Sequence, residues 1–410
     1  MDSLLDGLCV KQNWLDFLAE KKAGGHLRPF EERKLKKYIE DEGYMRVIQN
    51  GLHLSAPQKC LVNKLETGKK RIVYRFADDE VWVLKLLCAF LYKYDNKLSE
   101  ACYSFRKAHT AQKAIRRIMA VRGLGGKYCV KTDIHNYFNS IPAAELAAAL
   151  DDIIDDDPRL KAFLKELLLT DAAYENGSLV YENRGAMAGC PLSPFFANIY
   201  LKELDDWFVG EGIPFYRYSD DMVFFVDTAQ QAEYYKNRLT QIITKKGLEI
   251  NTDKCSVTAP GESWDFLGFG YVNGRIDLSA ASKKKIKGKI RRKAKALYRW
   301  RVKKNLPCEK AAKALIKHFD RKFYDDMRDG DFSWSRWFFP VLTTADGLKE
   351  IDGYMLEYIR YLYSGRHYKG NYKLSYADIR AMGRRSLVNE YYKYQKQAAQ
   401  RDLAVRTNSK

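Results

Sequence analysis

The sequence predicts an α+β fold, and three features carry that prediction. GKYCVKTD, residues 126–133, alternates apolar and polar side chains like a half-buried strand that ends at Asp133. FYRYSDDMVFFV, residues 215–226, reads as two β-rich runs closed by a Ser–Asp turn. From Gly185 to Tyr271 such strands alternate with a helix, whereas beyond Ser279 the pattern turns helical, basic and aromatic. At 410 residues, 46% of them hydrophobic, the chain is long enough for two or three cores and too apolar for wholesale disorder.

Taken in order, residues 1–60 read as a helical N-terminal extension interrupted at AGGHLRP. A basic stretch, KLETGKKRIVYR, then leads into the helical pattern DDEVWVLKLLCAFLYKY. After the strand at 126–133 comes a helical, acidic stretch over 146–170, whose DDIIDDDP reads as an exposed acidic helix end rather than a metal cluster. In GAMAGCPLSPFFANIYLKELDDWF, Ser193 suits an N-cap and Pro194 the first helical position. Phe196, Ile199, Tyr200, Leu204 and Trp207 then mark one apolar face. Gly185 and Gly189 before it are read as letting the backbone approach a substrate closely.

Composition narrows the function. No apolar run has the length of a membrane span, and the first residues lack a basic-then-apolar signal pattern, so a soluble, cytoplasmic protein is expected. Eight scattered cysteines with no C-x-x-C pair argue for reduced, mostly buried thiols, against zinc ribbons and disulfide frameworks. Seventy-one Lys and Arg against 52 Asp and Glu give a net charge of +19, which points to a polyanionic partner. The excess is concentrated: Lys283 to Lys304 holds thirteen basic residues and no acid. Such a helix repels itself unless phosphate is near, and Tyr298 and Trp300 add stacking surface, so nucleic acid is the expected partner.

Asp220 and Asp221 stand side by side within the predicted hairpin. Buried without a partner, each carboxylate costs several kcal/mol, so either a turn keeps them in water or a cation holds them. Asp133, where a strand opens into a turn, caps a helix or meets a ligand. If its strand neighbours the hairpin, three carboxylates converge at one sheet edge. Hard oxygen ligands of that kind suit Mg²⁺, and two such ions clamp the attacking and leaving oxygens of an in-line phosphoryl transfer.

Seven strings in order over residues 61–275 resemble the motifs of bacterial reverse transcriptases. KKRIVYRFADDEVW and CYSFRKAHTAQKAI resemble the two fingers motifs, and VKTDIHNYFNSI the first palm motif. GCPLSPFFANIYL is similar to the loop and helix beneath the nascent base pair, and YSDD is similar to the family's Y-x-D-D. GLEINTDKC resembles the next motif, and FLGFGY the primer-grip hairpin. The resemblance implies a right-hand polymerase fold: an extension over 1–60, fingers and palm over 61–275, and a helical basic thumb with a C-terminal extension over 276–410.

It also implies roles. Asp133, Asp220 and Asp221, with the Ile134 carbonyl, would hold two Mg²⁺ ions, with Mn²⁺ as substitute. Arg71, Lys64 and the loop at Ala188 and Gly189 would meet the incoming dNTP. The Phe138 ring would clash with a 2′-hydroxyl and so favour deoxynucleotides, and Lys254 would protonate or neutralise the leaving pyrophosphate. Arg106, Lys284, Lys287, Arg291, Lys295, Tyr298 and Trp300 would bind nucleic acid. Ala188 departs from the family, which usually has Gln there, and this puts nucleotide discrimination in question. The tyrosine-rich C-terminal part, with MGRRSLVNEYYKYQK, looks most like the unknown-group, defence-associated enzymes. Those work with a structured non-coding RNA, make DNA from it and act against phage. A group II intron-like reverse transcriptase or maturase is the alternative. Phe138 and YSDD argue against an RNA-directed RNA polymerase, the intact aspartates argue against a non-catalytic RNA-binding maturase, and template-independent DNA synthesis stays open.

Overall fold

The computed structural model describes residues 3–24, 27–63, 70–324 and 333–408. The chain divides into two compact units, Met1–Gly24 with Phe30–Pro260, and Gly25–Pro29 with Gly261–Lys410.

Among the described residues of the first unit, alternating and β-branched residues form eight strands: β1 (Gln58–Asn63), β2 (Lys70–Arg75), β3 (Tyr128–Asp133), β4 (Ala172–Glu175), β5 (Ser178–Tyr181), β6 (Phe215–Tyr218), β7 (Asp221–Val226) and β8 (Ser256–Thr258). One sheet has the order β6-β7-β3-β8, antiparallel throughout. Its central strand β7 is buried on both faces, from Met222 to Val226, which explains its unbroken apolar run. The other sheet, β2-β1-β4-β5, is antiparallel except for the β1–β4 pairing.

The loop after Gly185 feeds two helices, Ser193–Tyr200 and Lys202–Gly210, and a third, Ala229–Lys245, follows the hairpin, so this region holds three helices rather than the one expected. Leu192, not Ser193, caps the first helix, and Ser193 Oγ donates back to the Met187 carbonyl. The helix Ser193–Tyr200 is buried on nearly every side, not along one stripe, while Trp207 stays half-buried. At the N-terminus, Trp14 stacks on Tyr44 with centroids 4.9 Å apart. The acidic run is structural, as expected of a helix end. Asp157 caps Pro158–Leu169 through Leu160 N–H at 2.9 Å, and Asp155 and Asp156 pair with Lys97 and Lys93 at 2.5 Å each.

The second unit begins with a meander, β9 (Trp264–Phe266), β10 (Phe269–Val272) and β11 (Arg275–Leu278). Leu267 and Gly268, at φ +52° and +85°, make the tight turn between β9 and β10. Ser279 caps the basic helix Ala280–Lys303, accepting from Ser282 N–H at 3.1 Å. Ile286, Ile290 and Ala294 of this helix are buried, as are Leu348, Ile351, Met355 and Ile359 of the helix Asp346–Ser364. All eight cysteines are free thiols, but only Cys102, Cys129 and Cys190 are fully buried. Among the described residues no helix is long and apolar enough to cross a membrane.

Candidate active site

The sheet brings the aspartates together. β3 and β7 are antiparallel neighbours with Asp133 opposite Asp221. Directly opposed residues share a face, which sets the two carboxylates side by side. Asp220 lies in the turn between β6 and β7, beside Ser219 at φ +63°, and the Asp220 carbonyl accepts from Ile134 N–H at 3.3 Å. Burial, and then the Asp133 charge, push the Asp220 carboxyl above the ordinary carboxylate range. Burial likewise pushes Asp221 up to about 6, with Lys131 opposing and Asp220 and Asp133 adding to the rise.

Asp133 has partners already: Oδ2 accepts from Lys254 Nζ at 2.6 Å and Oδ1 from Asn251 Nδ2 at 3.0 Å. Burial pulls the Lys254 pKa down, but the hydrogen bond to Asp133 and its charge outweigh that, and the net shift is upward. Among the described residues no three carboxylate, imidazole or thiol groups are gathered into a ready ligand cluster. The donor set nonetheless fits a hard divalent cation: it is oxygen-only and acidic, with Lys131, Lys254 and Arg71 as the cations that act on Asp220 and Asp221.

Beneath the turn lies a buried ion pair that sequence reasoning missed. Arg217 and Asp205 are both 0% exposed and meet in a two-pronged contact, Nε to Oδ1 at 2.7 Å and Nη2 to Oδ2 at 2.5 Å. Burial alone would lower the guanidinium's pKa; Asp205 beside it outweighs that and raises it. The remaining donors of Arg217 reach the carbonyls of Ser219 and Asn198, each at 3.2 Å. Ser104 Oγ accepts from Ser219 N–H at 2.9 Å and donates to Asn198 Oδ1 at 2.8 Å. The turn that carries Asp220 is therefore pinned from below.

On the other side, the Arg71 guanidinium of β2 lies 5.9 Å from the centroid of the Phe138 ring. Asn139, also missed, ties the two walls together: Nδ2 donates to the Ile72 carbonyl at 3.2 Å and Oδ1 accepts from Ala188 N–H at 2.9 Å. The Ala188 carbonyl in turn accepts from Tyr74 N–H at 2.8 Å. The glycines here let the protein's own backbone segments approach one another. A Cβ on Gly185, at φ +56°, would lie 2.5 Å from the Phe138 carbonyl oxygen. One on Gly189, at φ +107°, would lie 2.7 Å from that of Tyr74. Lys64 lies outside the described residues.

Residues 62–271, about half of the chain, match the family described as reverse transcriptase (RNA-dependent DNA polymerase). The chain belongs to that family. Over 155 residues it is 28% identical to an uncharacterized 91 kDa protein in the cob intron of Schizosaccharomyces pombe, covering 37% of this chain and 18% of that one. Over 171 residues it is 22% identical to the retron Ec86 reverse transcriptase of Escherichia coli, covering 41% and 49%. The chain thus spans about half or less of the curated relatives it matches. Among solved structures, an apo telomerase from Candida tropicalis aligns with a TM-score of 0.47 at 10% identity, over 83% of this chain and 63% of that one. Telomerase from Candida albicans, in complex with a fragment of telomeric RNA, aligns at 0.44 and 13% identity, over 84% and 68%.

In this reverse transcriptase the sheet β6-β7-β3-β8 is the palm of the right-hand fold. Three of the residues expected at nucleic acid have partners within the protein. Arg106 is buried, and its guanidinium is spent on the carbonyls of Ser99, Cys102 and Asp95. Lys287 pairs with Glu350 at 2.5 Å and lies over the Tyr354 ring, and Lys283 pairs with the same Glu350 at 2.8 Å. The basic helix is thus partly compensated from a neighbouring helix. Tyr298 is half-buried against Tyr361, its ring also covered by Arg301. Lys284, Arg291, Lys295 and Trp300 remain exposed.

Proposed function

We propose that this reverse transcriptase synthesises DNA on an RNA template from dNTPs, with Asp133, Asp220 and Asp221 as its catalytic carboxylates. The observation that carries the reading is the register of β3 and β7, which opposes Asp133 to Asp221 next to the Asp220 turn. Asp133, Asp220, Asp221 and the Ile134 carbonyl would hold two Mg²⁺ ions, or Mn²⁺ in their place. Bound there, the metals would polarise the primer 3′-hydroxyl and neutralise charge on the transferring phosphoryl group. Lys254, now on Asp133, would swing to the pyrophosphate and donate a proton or balance its charge. Arg71 would meet the triphosphate, and Phe138 would stand under the sugar. The extension of a primed RNA template, compared with the same mixture lacking template RNA, tests this reading and separates it from template-independent synthesis.

If the Phe138 ring gates the sugar, Phe138→Ala is expected to admit ribonucleotides much better while dNTP use persists. Arg71 rests on that ring, so a modest rise in KM for dNTPs should accompany the change. Unchanged rNTP/dNTP selectivity in single-nucleotide incorporation would place the gate elsewhere.

The exposed part of the basic helix is proposed to follow a nucleic-acid backbone. Each cation placed at a phosphate steepens the log–log salt dependence by roughly 0.7–0.9 units. Neutralising Lys284, Arg291 and Lys295 together should therefore flatten that slope by about 2 units or more. Lys287→Met should change it less than any one of those three, because Lys287 shares the Glu350 carboxylate with Lys283.

The template is proposed to be a structured non-coding RNA and the biological role anti-phage defence, on the resemblance of the tyrosine-rich C-terminal part to defence-associated enzymes. Sequencing the nucleic acid that co-purifies with the protein, and plaque assays with wild type and Asp220→Ala/Asp221→Ala, test both points. The similarity to a protein in a cob intron favours a second reading, a group II intron-like enzyme acting in RNA binding and retromobility. Intron RNA in the co-purified pool would select it.

A further inference from the structure

Residues 360–376 of the second unit carry a cluster of exposed tyrosines. Tyr368, Tyr372 and Tyr376 are 49%, 63% and 49% exposed, within nine residues of one another. Single exposed rings are ordinary on a protein surface; three this large and this close mark a site of interaction. Two of them are backed by arginines. The Arg360 guanidinium lies 4.6 Å from the Tyr372 centroid, and that of Arg366 5.1 Å from the Tyr368 centroid. Arg360 is held in place, its Nε donating to the Leu374 carbonyl at 3.1 Å.

The segment is built rather than loose. His367 packs on Tyr358 and Tyr361, with centroids 4.9 and 5.2 Å away. Asn371 is buried and donates to the Arg366 carbonyl at 2.7 Å. Gly365, at φ +75°, closes the preceding helix and turns the chain outward. From Arg360 to Tyr376 the sequence holds Arg360, Arg366, Lys369 and Lys373 and not one acid.

We infer that this segment is a stacking platform for single-stranded nucleic acid, carried by the unit that does not hold the catalytic aspartates. With about half or more of each tyrosine exposed, ring surface remains beside the arginines, and every base has a flat face to lay on it. The four cations, unopposed by any acid within the segment, match a phosphate backbone running past those rings. Flat aromatic rings among cations suit bases and phosphates together better than they suit an apolar protein groove. The inference deepens the nucleic-acid reading above, resting on it for the kind of partner but not on catalysis.

The test compares the full chain with Tyr368→Ala/Tyr372→Ala/Tyr376→Ala and with the corresponding triple Phe variant. Fluorescence anisotropy reads binding of short labelled oligouridylate and oligothymidylate, and primer extension is followed on saturating primed RNA. The Ala variant is expected to bind single strands about tenfold or more weakly, and the Phe variant within about twofold of wild type, since stacking needs the ring and not the hydroxyl. Loss confined to oligouridylate assigns the platform to RNA, and loss with oligothymidylate assigns it to DNA product; either supports the inference. Extension should persist, so a wild type that binds but does not extend would overturn the polymerase reading and leave this one standing. An Ala variant that binds like wild type, or a Phe variant that loses as much as Ala, overturns the platform. Because the rings are exposed, the melting temperature should not move; if the triple variant melts early, Tyr372→Ala alone replaces it, with a loss of severalfold expected.

Discussion

Replacing Asp220 and Asp221 together by alanine is expected to abolish dNTP incorporation on a primed RNA template and, without metal, to stabilise the fold. The loss should reach about a thousandfold or more, since metal-held charge supplies several kcal/mol of transition-state stabilisation. The gain has a separate cause. Both carboxyls are pushed upward by burial, Asp221 to about 6; the Asp133 charge adds to both rises and the Asp220 charge to that of Asp221. Removing the two charges should contribute roughly 1–2 kcal/mol to metal-free stability at pH 7 after allowing for partial exposure. Adding Mg²⁺ should raise the melting temperature of wild type and leave that of the double variant unchanged. Residual activity within tenfold of wild type, or an equal Mg²⁺ shift in both proteins, contradicts the assignment.

The second large effect is on stability. Asp205→Ala should destabilise the first unit by about 3–5 kcal/mol, because it strands the Arg217 guanidinium in a site with no access to water. Replacing both partners by apolar residues, Asp205→Leu with Arg217→Met, should recover much of that loss in urea unfolding. It should not recover activity in full. Arg217 also holds the carbonyls of Ser219 and Asn198, and without it the turn bearing Asp220 loses its support. The signature of a positioning role is a fall in kcat with KM for dNTPs nearly unchanged. A single variant that loses less than about 1 kcal/mol would show the pair to be dispensable.

The parts of the site that were legible in the sequence are local. The alternation of β3, its end at Asp133 and the closing of β6 and β7 around Ser219 and Asp220 are all set by neighbours within a few residues. What the sequence hid are pairings across distance. Nothing near Lys287 reveals that Glu350, 63 residues on, neutralises it. Arg106 looks like any basic residue in a nucleic-acid motif until three carbonyls are found around its guanidinium. Gly185 and Gly189 read as places of close backbone approach, and in the structure a Cβ at either would meet backbone. What approaches them, the backbone of Phe138 and Tyr74, comes from segments far back in the chain. A faint signal for the buried pair did exist: Arg217 stands in a strand with Phe215 and Tyr216, where a charge needs a partner.

The carboxylates at the ends of β3 and β7 are proposed to make DNA on RNA. The most direct measurement is extension of a DNA primer annealed to RNA, with dNTPs and Mg²⁺, by purified wild type and by Asp133→Asn, a nearly isosteric change at a position held by Lys254 and Asn251. Template-dependent DNA is expected from the wild type, none without the RNA, and none from Asp133→Asn at unchanged RNA affinity. Wild-type protein that binds the primed RNA but adds no nucleotide, or an Asp133→Asn variant that extends it as well as wild type, would contradict that assignment.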